Sequence, residues 1–460
     1  MPRIAGAGEP AAPDPTTPLL GRAWPDPEGP TYEAFGPCRD VEGSQGEPEH
    51  LPEKWNDPPI NVARILAAFL SFIVVGANDG IYGALVHYLG EYYEVNYAHV
   101  SAVFLSPCVG YATAALVSNW IHVHFGRRGI ALLGPAFHVI AYGTSSLHPS
   151  FGVLVFVFVL AGLGSGLLDA GWNAWIGSMQ DSSKPMGILH GFYGLGAALA
   201  PLIATSLITK SGWTWYEVYC IMAAAAVIEL VGLTAVFWSA RGFTHGTPPN
   251  HDTGDKDHSG YFKLDSLRNS PTIQSLQSSF TWIISLFIFL YAGVEISFGG
   301  WIFTFLVNRR NATTYTAGMV VGLYWAGLTI GRVILGFVTS RQKSGKAMVT
   351  IYLLACLASH GLFCLVTDLA VSVSAVVSLG FFLGPLFPEA VIELARLLPK
   401  HLHVAGVGIA CTLGSAGGCV FPFVMGSLAE IVGIQVLQPM AFGMLVLCLV
   451  IWLVLPGRAR

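Results

Sequence analysis

Gly164-Ser165-Gly166-Leu167-Leu168-Asp169-Ala170 lies inside one long apolar stretch, and Gly384-Pro385-Leu386-Phe387-Pro388-Glu389-Ala390 lies inside another, 220 positions later. Each is a run of small or helix-breaking residues that ends in an acid followed by Ala. In an apolar helix small residues let a neighbouring backbone approach closely and an acid is costly, so neither feature is filler. Two more pairs keep nearly the same spacing: Gly196 and Pro201 recur as Gly417 and Pro422 at an offset of 221, and Gly76 and Gly83 recur as Gly293 and Gly300 at 217. The recurrence predicts a duplicated helical unit with a solute site between the two copies.

Composition supports a membrane setting for that unit. Of the 460 residues, 53% are hydrophobic and 11% charged, where a globular chain carries about a quarter charged residues. A soluble multidomain protein is thereby excluded. The 53 glycines and the 12% aromatic content fit closely packed spans with aromatic belts. The net charge of −4 is uninformative, and no segment is basic enough to suggest a nucleic-acid partner. The eight cysteines lie mostly in apolar runs without paired spacing and read as small core hydrophobes. No metal-ligand spacing and no phosphate-binding Gly loop with its Lys occurs, so no cofactor, no metal and no enzymatic activity are expected.

Residues 1–61 differ from the rest, with eleven of the 27 acids and no apolar run, and predict a disordered cytoplasmic tail. A second polar stretch, 241–279, contains His251-Asp252-Thr253-Gly254-Asp255-Lys256-Asp257-His258 and reads as a cytoplasmic central loop. The remaining residues, at about 30 per span with its turn, accommodate twelve spans. Apolar runs place them at 62–89, 98–124, 129–147, 151–178, 187–209 and 216–239, then at 280–307, 314–340, 346–367, 370–397, 403–427 and 435–455. The predicted fold is an all-α membrane protein of twelve transmembrane helices in two pseudo-symmetric six-helix bundles, 62–240 and 280–456, with 457–460 as the cytoplasmic C-terminus. With both termini cytoplasmic, 19 of the 23 Lys and Arg face the cytoplasm, a strong positive-inside bias. The sequon Asn311-Ala312-Thr313 then lies outside, which makes Asn311 a candidate glycosylation site.

A charge at the bilayer centre costs about 2.5 kcal/mol or more, so each ionisable residue within a span needs a partner, a wet cavity or a proton. The candidates for such a role are Asp79, Asp169, His190, Glu229, Glu295, Arg332, Glu389 and Glu393. Asp79 sits in Gly76-Ala77-Asn78-Asp79-Gly80, and Asp169 and Asn173, four apart, project from one helix face. Desolvation favours the neutral form of a carboxyl group, which suits both acids to carry one proton per cycle; the competing reading is packing glue between helices. Glu295 is mid-span in Gly293-Val294-Glu295-Ile296-Ser297. Arg332 cannot shed its charge and needs a carboxylate, with Glu295, Glu389 and Glu393 as candidates, either as an ion pair or gate or beside a substrate contact. His190 reads equally as a proton relay or a solvated residue, and Glu229 is ambiguous. Trp172, Trp175, Trp301, Tyr324 and Trp325 can stack on a sugar, although aromatic residues in spans more often serve packing.

Gly126-Arg127-Arg128 after the second span matches the end of the loop signature of the major facilitator superfamily, and Gly331-Arg332 with Gly336 and Arg341 looks like its second copy. Val123 stands where that signature usually has Asp. Within the superfamily the chain resembles the fucose permease-like, sugar-porter group and its fungal members. The likeness rests on Asn78-Asp79, on Asp169-Ala170-Gly171-Trp172-Asn173, and on His190-Gly191-Phe192-Tyr193-Gly194-Leu195-Gly196, where the permease has Gln in place of His190. The resemblance implies that Asp79 contributes to the sugar site and that Asp169 is the protonatable coupling residue. Drug antiporters end this fifth-span motif in Gly-Pro-x-x-Gly-Gly; here it reads Ala200-Pro201-Leu202-Ile203-Ala204-Thr205, which weakens an efflux role.

The expected function is secondary active, proton-coupled transport of a small polar organic solute such as a sugar, by alternating access. The alternatives are proton-driven efflux of a metabolite or toxin, and a non-transporting nutrient sensor. The expected proton-coupling residues are Asp169, Asp79 and Glu295, and the expected substrate contacts are Asn78, Asp79, Asn173, His190, Tyr193, Trp301 and Tyr324. Arg332, Glu389, Glu393, Arg127 and Arg128 are expected as ion pairs or gates. Expected partners are the solute, protons and the lipid bilayer, and the carrier is expected to act as a monomer. The expected location is the plasma membrane. The vacuolar membrane is the alternative, because Pro18-Leu19-Leu20 after Asp14 falls one residue off an acidic dileucine spacing.

Overall fold

The computed structural model describes residues 53–180, 183–240, 271–342, 345–399 and 402–456. The tail up to residue 52, with its dileucine-like stretch, and His251–His258 lie outside the described residues. The first half contains α1 (Ile60–Tyr93), the one-turn α2 (Tyr97–Val100), α3 (Ala102–Ser146), α4 (Phe151–Gly177), α5 (Ser183–Ser211) and α6 (Trp215–Phe237). The second contains the short α7 (Pro271–Gln277), α8 (Ser279–Arg310), α9 (Thr314–Ser340), α10 (Gly345–Leu365), α11 (Leu369–Leu383), α12 (Leu386–Leu397), α13 (His403–Val432) and α14 (Leu437–Val454).

Eleven helical stretches among the described residues are long and apolar enough to cross a bilayer, and one of them, Tyr97–Ser146, has 50 residues. That stretch turns at Gly126, whose φ of 66° and ψ of −162° suit glycine alone, and so makes two passes. The chain therefore makes the twelve passes predicted. The tenth is broken into α11 and α12 at Gly384-Pro385.

The duplication appears as identical packing. In the first half α1 lies against α5, and a Cβ on Gly196 would stand 2.1 Å from the Ile73 carbonyl oxygen; in the second α8 lies against α13, and a Cβ on Gly417 would stand 2.1 Å from that of Phe289. Likewise Gly110 meets the Val159 carbonyl where α3 crosses α4, and Gly331 meets that of Phe381 where α9 crosses α11. Only a missing side chain admits backbones this close, which is why the glycine landmarks recur at one spacing.

Two boundaries differ from the sequence reading. Residues 53–59, assigned to the tail, form a turn that docks on the first bundle: Glu53 accepts from Arg127, Trp175 and Asn61, and its carbonyl accepts from Gln180 N. Charge and polarity mark this stretch as loop, yet three buried or half-buried donors fix it. In the central loop, α7 begins at Pro271, ahead of the predicted end at 279.

The two halves touch at the end of the bundle remote from the start of α1, here termed the far end. A Cβ on Gly83 of α1 would lie 1.9 Å from the Gly299 carbonyl oxygen of α8, and one on Gly318 of α9 would lie 1.9 Å from Thr205 Oγ1 of α5. Asn308 Nδ2 donates to the Tyr97 hydroxyl at 2.7 Å, Tyr97 N to Glu430 Oε2 at 3.0 Å, and Lys210 Nζ to the Tyr315 hydroxyl at 3.0 Å.

Candidate functional site

Between the halves lies a cavity of about 2420 Å³, lined from Tyr82, Phe104 and Trp325 at its closed end to Lys184, Gln342 and Pro456 at the helix ends. It is thus open at the near end, where α1 and α5 begin, and shut at the far end. A single small-molecule site takes roughly 300–1,000 Å³, so most of this volume is vestibule and the site occupies its closed end.

The first-half wall is acidic. Gly76 and Gly80 bring α1 onto α5, against the carbonyls of Tyr193 and Ala197. The Ala197 carbonyl lies four residues before Pro201, which has no N–H to donate to it. This contact sets Asp79 beside Tyr193: Oδ2 accepts from the Tyr193 hydroxyl at 2.8 Å, and Oδ1 accepts from Asn78 Nδ2 at 3.1 Å. On α4, Asp169 Oδ1 accepts from Asn173 Nδ2 at 2.7 Å, as the four-residue spacing predicts. Among the described residues neither acid forms an ion pair.

The opposite wall is neutralised. Of the three partners considered for Arg332, the structure selects Glu295: Nη2 donates to Oε1 at 3.3 Å and also to the Tyr291 hydroxyl at 3.3 Å. Tyr291 and Glu295 are four apart on α8 and present one face. Arg332 Nε donates to the Gly384 carbonyl at 3.2 Å. In an unbroken helix that carbonyl would accept from residue 388, which is a proline. The Gly-Pro-Leu-Phe-Pro break of the opening motif therefore frees an acceptor, and the guanidinium takes it.

Asp79, Asp169, Asn173, His190, Tyr193, Glu295, Arg332, Glu389 and Glu393 all line the cavity. Glu393 pairs with Arg396 at 3.2 Å towards the open end, and Glu389 stands one turn away on the same helix. Three expected contacts do not line it. Asn78 is fully buried, bridging Asp79 and the Tyr82 hydroxyl. Tyr324 is buried with its hydroxyl donating to the Glu295 carbonyl at 3.0 Å. Trp301 belongs to the far-end seal, where Tyr97 and Phe104 pack on it with centroids 5.8 Å away and its indole donates to the Pro422 carbonyl. Burial of large side chains takes precedence over stacking on a solute at these positions.

Arg127 and Arg128 stand outside the cavity, at the near end of the first bundle. Arg127 donates to both Glu53 oxygens at 3.2 Å, and Arg128 covers the Trp238 ring at 3.4 Å. Val123 is exposed, and the carboxylate that Arg127 meets is Glu53, from the segment before α1. Burial pushes the Glu53 carboxyl up, but the hydrogen bonds from Arg127 and Trp175 prevail and hold it below the usual carboxylate range.

One buried network escaped the sequence reading. His138 Nδ1 lies 3.0 Å from Glu229 Oε2 with both side chains 0% exposed; Ser71 donates to Glu229 at 2.7 Å, and His138 Nε2 contacts the Ser165 hydroxyl at 3.1 Å. It joins α1, α3, α4 and α6 and assigns Glu229 a packing partner. The available signal was an ionisable His138 inside the third apolar run. Asn311, the sequon residue, is exposed in a three-residue connection between α8 and α9.

A family model described as Major Facilitator Superfamily matches residues 68–422. The chain is 31% identical over 440 residues to "Bypass of stop codon protein 6" of Saccharomyces cerevisiae, covering 90% of this chain and 86% of that one. It is 23% identical to "Glucose/mannose transporter GlcP" of Bacillus subtilis, covering 78% and 86%. Among solved structures, a bacterial homologue of the human lysosomal transporter Spinster, crystallised inward-facing and occupied, superposes with a TM-score of 0.64 at 12% identity, covering 86% of this chain and 96% of that one. The peptide transporter POT superposes with a TM-score of 0.66 at 13% identity, covering 84% and 93%. Two related six-helix bundles around one cavity, and a family match across both, make this chain a membrane transporter of the major facilitator superfamily and not an enzyme.

Proposed function

We propose that the protein is a proton-coupled carrier of a small polar solute, with a hexose as the leading candidate, and that Asp169 is its coupling residue. The observation that carries this reading is the asymmetry of the cavity: Glu295 is matched by Arg332, whereas Asp169 faces the cavity with Asn173 of its own helix as its hydrogen-bond donor. An uncompensated carboxylate cannot be carried cheaply through a dry, closed state, so a proton must accompany it. Asp79, held by Tyr193 and Asn78, and Asn173 offer hydroxyl-binding groups beside it, and His190 and Tyr193 complete the wall. The sugar carriers among the relatives support the hexose candidate. The positive-inside bias assigns the near end and both termini to the cytoplasm, so the cavity is open inward; it also assigns Asn311 to the outer face as a glycosylation site. The plasma membrane is the proposed location and the monomer the working unit.

The test is uptake of labelled glucose, as probe, into proteoliposomes under an imposed pH gradient. Uptake is expected to rise with an inward proton gradient, and Asp169→Asn is expected to lose that dependence while keeping glucose exchange. Retained proton coupling in Asp169→Asn overturns the assignment. A second reading, proton-driven export of a metabolite or toxin, is favoured by the wide vestibule that leads to the site; the same vesicles with the gradient reversed distinguish it.

A further inference from the structure

Cys108 on α3 and Cys419 on α13 belong to opposite halves of the carrier. The two helices meet across the far-end seal, where a Cβ on Gly426 would lie 2.5 Å from the Ser101 Cβ. Seven residues from that contact along each helix, on the cavity side, stand Cys108 and Cys419, in the antiparallel register which the contact sets. Seven residues are about two turns, or roughly 10 Å. That register brings the two thiols to the same level of the interface, where their side chains interact, and both are free and half-buried. Cys419 lines the cavity, as do Pro107 and Tyr111 on either side of Cys108, so solutes in the cavity reach the pair. Neither cysteine is the apolar filler that the composition suggests: tertiary structure sets them face to face across the interface that must part in alternating access.

We propose that Cys108 and Cys419 form a reversible disulfide that staples α3 to α13 and holds the carrier shut at the far end. The oxidant is a peroxide. One thiol is oxidised by hydrogen peroxide to a sulfenic acid with release of water, and the other sulfur then attacks it, forming the S–S bond and releasing a second water. Two thiols and one peroxide thus give one disulfide and two waters, and the two electrons pass from sulfur to peroxide oxygen. A dithiol reductant returns both thiols. Bridged cysteines keep their Cα atoms within about 7 Å, which suits helices in direct contact and forbids their separation. The functional consequence rests on the alternating-access reading above, while formation of the bond does not.

The test treats the full-length carrier in proteoliposomes with hydrogen peroxide and then dithiothreitol. It follows the Cys108–Cys419 linked peptide by non-reducing mass spectrometry, amide exchange at 97–104 and 425–432, and counterflow of glucose. Expected are the linked peptide, exchange at both far-end segments slowed severalfold, and loss of counterflow, all reversed by the reductant and absent in Cys108→Ser and Cys419→Ser. Cys108→Ala replaces either serine variant that fails to fold. Peroxide that oxidises other cysteines without yielding the linked peptide overturns the proposal, as does a linked peptide with far-end exchange unchanged. If the reduced carrier moves no glucose, the hexose reading fails, and the peptide and exchange readouts still decide the staple.

Discussion

Gly83→Ala tests whether the glycine contacts divide into those that hold a bundle together and those that set its conformation. The added Cβ would lie 1.9 Å from the Gly299 carbonyl oxygen, where ordinary contact begins at 3.4 Å, so α1 and α8 must part by 1.5 Å. Overpacking of this kind costs about 1–3 kcal/mol. Because Gly83 and Gly299 sit in different halves, that cost falls on the state with the far end closed and is relieved when the halves separate there. At about 1.4 kcal/mol per tenfold, the balance should move roughly 5- to 100-fold towards the state in which the near end is shut. Gly76→Ala is the matched control: its Cβ also lies 1.9 Å from a carbonyl oxygen, that of Tyr193, but both residues belong to the first bundle and stay together in every state. The assay is maleimide labelling of Cys411, which lines the cavity, followed by peptide mass spectrometry, with thermal stability measured alongside. Gly83→Ala should slow Cys411 labelling by up to about tenfold with a small loss of thermal stability; Gly76→Ala should lower stability and leave labelling unchanged. Equal loss of stability in the two variants, with unchanged labelling in both, refutes the division.

Other outcomes follow from the ion pairs. Arg332→Ala leaves Glu295 uncompensated and should cost about 3 kcal/mol, the low end for a buried pair, because 23% of the Arg332 side chain stays exposed to the cavity; Arg332→Met with Glu295→Gln should recover most of the thermal stability. His138→Ala removes the buried hydrogen-bond partner of Glu229 Oε2, leaving the carboxyl group only Ser71, and should destabilise by about 1–3 kcal/mol, read as a thermal shift in detergent, with His138→Gln milder. Glu53 is held below its ordinary range, so its contribution is present above the ordinary glutamate range and is lost as pH falls through the lowered value. The difference in melting temperature between the natural chain and Glu53→Gln should therefore shrink on acidification below about pH 4.5, and should be small throughout, since exposed pairs contribute about 1 kcal/mol or less.

The twelve passes, the duplication and the Asp169–Asn173 pair were legible in the sequence because each depends on local spacing. Length of apolar run decides a span, repetition of Gly and Pro marks where helices touch, and a four-residue separation places two side chains on one face. Tryptophans and tyrosines were harder to read. Trp301 and Tyr324 carry the same chemistry as Trp325 and Tyr291, which line the cavity and are about as buried; only their place in the bundle, away from the cavity wall, distinguishes them.

Partners distant along the chain were decided by tertiary structure. Arg332 had three acids within plausible reach, and the proline break that frees the Gly384 carbonyl turned it towards Glu295. Glu53 and Arg127 are 74 positions apart, and His138 and Glu229 are 91 apart; Cys108 and Cys419 lie in different halves. Sequence determines which charges and thiols an apolar chain must accommodate, because the bilayer penalises each wherever it falls. Which of them face one another depends on how the helices pack, and that is set by close contacts among glycines in different spans, a cooperative property of the whole bundle.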